Sequence, residues 1–137
     1  MVPRNSRRYE ASTDRSKMKS LMTVLLEENK ALVLEAFDTL FNKRDYAAAE
    51  RYWSPDYIQH SAHIAPGREG LFNLVKSMPA TLKYEHGTIV AEGDFVIVHG
   101  RFSGHGLASV NWIAADILHI KDGSGRTLGC APGRGDK

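Results

Sequence analysis

The hydrophobic period changes once along this chain, near Pro79, and that change limits the fold more than any other feature. Before it, apolar residues recur at helical spacing; after it, they alternate. Val33, Phe37, Leu40 and Phe41 follow the i, i+4, i+7, i+8 stripe of an amphipathic helix, with Leu26 and Ala36 near its edges. The helical pattern starts by Leu21 and is clear over residues 27–42. Asp45 offers an N-cap to a short alanine-rich helix over 46–52, which Ser54-Pro55 stops. A third helix is expected over 68–77, with Leu71, Leu74, Val75 and Met78 on one face. Beyond Pro79, residues 82–91, 95–102 and 109–120 read as strands joined by Glu92-Gly93-Asp94 and Ser103-Gly104-His105-Gly106. Helices followed by a meander predict an α+β domain, its helices on one face of a curved antiparallel sheet.

The 137 residues have room for one domain. Residues 1–20 are polar, basic and without period, and read as a disordered leader; the domain itself occupies 21–123. Net charge is only +2, and residues 1–19 alone carry six basic against two acidic side chains. The remainder is therefore slightly acidic, which argues against nucleic acid as a partner. Cys130 is the only cysteine, so an intramolecular disulfide and a cysteine-rich zinc site are excluded. No run approaches 18 apolar residues, so no membrane span is expected. Ser6-Arg7-Arg8-Tyr9 lacks the apolar stretch that an export signal needs, and a cytoplasmic location is expected.

Lys121-Asp122-Gly123 is a hairpin signal that asks for a fourth strand. Residues 125–137 answer it poorly, with four glycines, one proline and almost no β-branched or aromatic side chains. The expectation is an aberrant or disordered tail over 124–137 in place of the last strand. Codons for residues 125–136 can be chosen so that a shift of one nucleotide reads A-E-H-W-D-V-L-Q-D-E-A-T, a good strand. A frameshift just before Gly125 explains the conflict.

The residues at the joints of these elements resemble a known group. Asn29-Lys30 to Phe41-Asn42, Asp45-Tyr46 to Tyr52-Trp53, and above all Tyr57-Ile58-Gln59-His60 followed by Gly67-Arg68-Glu69-Gly70 look like SnoaL-like proteins. Val96-Ile97-Val98-His99 and Ala115-Asp116-Ile117-Leu118-His119-Ile120-Lys121-Asp122-Gly123 fit the same group. The resemblance covers about residues 27 to 123 and places the chain in the nuclear transport factor 2-like superfamily. It implies a cone-shaped barrel, three N-terminal helices packed on a strongly curved antiparallel sheet. Polyketide cyclases and limonene epoxide hydrolases are relatives. The strand after the Asp-Gly turn carries a catalytic aspartate in the cyclases, and this chain lacks it.

Alternation puts Trp112, Ala114, Asp116, Leu118 and Ile120 on one face of the third strand. Asp116 is then an acid among apolar neighbours, a setting suited to proton transfer. Its bland counterpart is a paired structural aspartate. His99, sharing a face with Phe95, Ile97 and Arg101, is the candidate partner in an acid/base pair, or else a satisfied core histidine. The resemblance sets His60 at the pocket mouth, with Tyr57 and Trp112 also lining the pocket. Six histidines form no metal-ligand pattern, so neither a metal nor an organic cofactor is expected. The Asp-Arg-Asp trio of limonene epoxide hydrolases is not reproduced by Arg101, two residues beyond His99. The expected function is acid/base proton transfer on an apolar small molecule, as in aldol-type cyclisation or epoxide hydrolysis. The alternative is a non-catalytic ligand-binding or dimerisation module. Apolar residues on both faces of the second and third strands also predict a homodimer through the open face of the sheet.

Overall fold

The computed structural model of the chain describes residues 4–58, 64–106, 110–121 and 127–129, with side chains from residue 15 onward except at 121 and 127–129. Helix α1 (Arg4–Phe37) runs directly into a π-helical turn, Asp38–Asn42, and is followed by a short α2 (Tyr46–Ala49). Helix α3 is Gly67–Ser77. Strands β1 (Lys83–Glu92), β2 (Phe95–Ser103), β3 (Trp112–Lys121) and β4 (Thr127–Gly129) pair antiparallel in the order β1-β2-β3-β4. The α+β class and the helices-then-sheet order are those expected, and the sheet is curved and unclosed.

Two ends differ from expectation. The basic stretch assigned to a leader is helical from Arg4 onward. No glycine or proline lies between Arg4 and Phe37, so nothing in the sequence breaks the helix despite its lack of apolar period. Residues 15–25 are exposed on every side, and burial begins only at Asn29. At the other end, Thr127–Gly129 pairs with His119–Lys121, where no strand was expected. Ladder pairing needs only backbone N–H and C=O groups, and a poor strand sequence still carries them. Residues 122–126 and 130–137 lie outside the described part.

The core forms where the helical stripe meets one face of the sheet. Val33, Ala36, Phe37, Leu40 and Phe41 pack with Leu71, Phe72 and Val75 of α3 and with Val96, Val98, Leu118 and Ile120. Phe37 is its aromatic hub, with ring centroids 5.3 Å from Phe41, 6.1 Å from Trp53 and 5.2 Å from Tyr84. In β1 the register shifts between His86 and Ile89. Tyr84 points inward before this bulge and the half-buried Ile89 and Ala91 after it, so the inward parity changes from even to odd.

Two side chains between α1 and α2 tie these layers together. Asn42 Nδ2 donates to the Tyr84 carbonyl (3.1 Å), and the Tyr84 N–H donates to Asn42 Oδ1 (2.8 Å). The amide thus pairs with the free edge of β1 as one residue of a neighbouring strand would. Arg44 adopts a left-handed φ of 54°. One of its guanidinium nitrogens donates to the carbonyls of Val75, Met78 and Pro79 at 3.2, 2.9 and 2.7 Å, capping the C-terminus of α3. Asp45 caps α2 as expected, accepting from the Ala48 N–H at 3.1 Å.

Candidate functional site

Register decides which candidates share a face. On β2 and β3, Val96 is opposite Leu118 and Val98 opposite Asp116, so even-numbered residues of both strands face the helices. Asp116 is half-buried on that inner face, beside Val98 and next along the strand from buried Leu118. His99 is odd-numbered, paired with Ala115, and exposed on the outer face with Phe95, Ile97 and Arg101. The sheet itself therefore separates Asp116 from His99, and the expected acid/base pair does not form. Faces within each strand were legible from alternation; the alignment of the two strands was not, because the connection between them is long.

Trp112 begins the inner row of β3 opposite Phe102 and stacks on His105, with centroids 3.8 Å apart and planes 12° from parallel. His105 is buried, and its Nε2 lies 3.0 Å from the Val110 carbonyl oxygen. Tyr57 is in the hydrophobic core, its backbone N–H donating to Ser54 O at 2.9 Å. His60 lies outside the described residues. Arg68 donates to the carbonyls of Trp53 (3.0 Å) and Glu50 (3.3 Å), closing the end of the α2 segment. Arg101 is held outward by Glu85, at 3.1 Å. That guanidinium holds the Glu85 carboxyl below its usual range, with Lys83 assisting. Among the described residues no group of histidine, cysteine and acid side chains could hold a metal ion.

Between Trp112 and Asp116 the inner face is nearly bare. The facing pair there is Gly100 and Ala114, two of the smallest residues in the sheet. The Tyr84 ring fills this trough from β1, lying over Gly100 so closely that a methyl group on Gly100 would collide with its phenol. Tyr84 is 5% exposed, and its hydroxyl has no hydrogen-bond partner among the described residues. Burial, and then the nearby Asp116 carboxylate, push its acidity well below that of an ordinary phenol, so it stays protonated. The inner face thus presents a carboxylate and a neutral phenol donor inside an apolar, largely aromatic wall. Sequence reasoning missed Tyr84. A signal existed in Gly100, a glycine inside a Val- and Ile-rich strand, which marks close approach by another group.

Residues 33–126 match the family model described as SnoaL-like domain. Among solved structures, an LEH-like epoxide hydrolase from M. tuberculosis superposes with a TM-score of 0.58, at 16% identity over 77% of this chain and 76% of that one. At that identity the likeness speaks for the fold. No match is found among curated proteins. No helix among the described residues is long and apolar enough to cross a membrane.

Proposed function

Because the chain belongs to the SnoaL-like domain family, we propose that it takes up an apolar small molecule in the cytoplasm and moves a proton on it through Asp116. The observation that carries this reading is the position of Asp116, a carboxylate on the inner face between Val98 and Leu118 and close to the buried Tyr84 phenol. A carboxylate at that position can accept a proton from a ligand lying against the inner face. In a cyclisation or isomerisation, the Asp116 carboxylate would accept a proton from carbon next to a carbonyl. The C–H electron pair moves into an enolate, whose carbon attacks a second carbonyl or is reprotonated elsewhere. Trp112, Tyr57 and His60 would contribute to the walls around the ligand. A second reading, epoxide hydrolysis, is favoured by the M. tuberculosis neighbour, while the outward Arg101 weighs against it.

Exchange of the C2 hydrogens of 1-indanone for deuterium, followed by NMR, tests the proton transfer. Exchange faster than in buffer, and reduced about a hundredfold or more in Asp116→Asn, is expected. Exchange unaffected by that substitution would remove Asp116 from the mechanism. Diol formation from styrene oxide without exchange would favour the hydrolase, and binding with neither reaction would leave the non-catalytic module. The exposed Phe95, Ile97 and Ile113 on the outer sheet face support a homodimer through that face; sedimentation at tens of micromolar is expected to show it.

A further inference from the structure

Tyr84 is held in place in three ways. Its backbone is gripped on both sides by the Asn42 amide, at 2.8 and 3.1 Å. Its ring is wedged against Phe37, Phe41 and Phe102, at centroid distances of 5.2, 5.7 and 4.7 Å. A glycine is kept at position 100, in mid-strand, where any side chain would displace the phenol. The outcome of this effort is a buried hydroxyl that no described protein group accepts from. Phenylalanine would fill the same space without leaving a polar atom unpaired, which costs roughly 1–3 kcal/mol. Buried polar groups in folded proteins nearly always have a partner, so an orphan at the candidate site needs one from elsewhere.

We propose that the Tyr84 hydroxyl is the hydrogen-bond donor for an oxygen atom of the ligand, and that it selects ligands carrying a carbonyl over hydrocarbons of the same shape. The inference deepens the proposed function and rests on its apolar, Asp116-lined site. Because the phenol stays protonated through neutral and mildly alkaline pH, it donates without giving up its proton. When Asp116 removes the proton next to a carbonyl, negative charge gathers on that carbonyl oxygen. A fixed donor there stabilises the enolate more than the ketone, which is what accelerates the step. The side chain would act in recognition and in catalysis through one contact.

The test compares 1-indanone with indane, which share a skeleton and differ in the carbonyl oxygen, by ligand-observed NMR titration. The unsubstituted protein is expected to prefer indanone by about five- to tenfold, the scale of one neutral hydrogen bond. Tyr84→Phe is expected to abolish that preference while leaving indane affinity unchanged. Its melting temperature should be equal or higher, because the substitution removes an orphaned hydroxyl. Equal binding of both probes to the unsubstituted protein would overturn the role of Tyr84 and leave the apolar site standing. A preference that survives Tyr84→Phe would do the same, assigning the oxygen to another donor. Failure of both probes to bind would overturn the apolar site itself, and this inference with it.

Discussion

A single glycine sets the position of the one orphaned phenol in the described sheet. Gly100 faces inward between Val98 and Phe102, and the space that its missing side chain leaves is taken by Tyr84. Gly100→Ala is expected to destabilise the fold by about 1–3 kcal/mol, the usual cost of overpacking a filled site. Denaturation in urea measures it, and an unchanged midpoint would show that Tyr84 has room to move. In the double variant Gly100→Ala with Tyr84→Phe the loss should shrink, since the atom met first is the hydroxyl oxygen. Tyr84 and Asp116 also show how far single residues were legible. Asp116 stands out as an acid in an apolar row, and the structure keeps it on the inner face. His99 stands out equally by chemistry, yet strand register sends it to solvent. Tyr84 carries no local mark at all, because a tyrosine at an inward strand position is ordinary until its hydroxyl lacks a partner.

At the level of elements, period and turn residues place α3 and β1 to β3 within a few residues of their ends. Their relation to one another depends on side chains that periodicity does not reach. Arg44 reads as part of a basic helix end, Asn42-Lys43-Arg44, whose charge would serve the dipole of its own helix. Instead it turns back through a left-handed backbone and caps α3, 31 to 35 residues away. The clamp and the strain act in opposite directions. Arg44→Gly should relieve the backbone while losing the carbonyl contacts, for a net loss of about 1–2 kcal/mol. Arg44→Ala loses the contacts and keeps the strain, so it should be worse than glycine by about 1 kcal/mol. Glycine and alanine variants of equal stability, in thermal or urea denaturation, would refute this account. The π-helical turn Asp38–Asn42 is equally hidden from a 3.6-residue period, although it immediately precedes the segment carrying Arg44 and delivers Asn42 to β1.

For the molecule as a whole, the weakest boundary is the last strand. Among the described residues, β4 covers the last three of β3, whereas β1 and β2 run nearly their full lengths together. Reading on from Gly125 in the shifted frame replaces a glycine-rich segment with one containing H-W-D-V. The extended chain is expected to lengthen β4 along β3 and raise the melting temperature by several degrees, as a few kcal/mol does in a domain of this size. An unchanged melting temperature would show that a full fourth strand adds nothing. The overall class was legible because it follows from one change of period. The presence of the final strand was not, because the three described backbone pairs form without the side-chain signals that announce a strand.

The double tie at residues 42 and 44 has a consequence for how the chain comes into being. Synthesis runs from the N-terminus, so Asn42 and Arg44 emerge well before Val75, Met78 and Tyr84, the residues they hold. Until β1 follows, the aromatic face of Phe37 and Phe41 has no sheet to cover it. The nascent helices therefore pass through an interval as a sticky, unfinished half, and shielding from neighbouring chains during that interval matters more here than in a fold whose early elements complete one another.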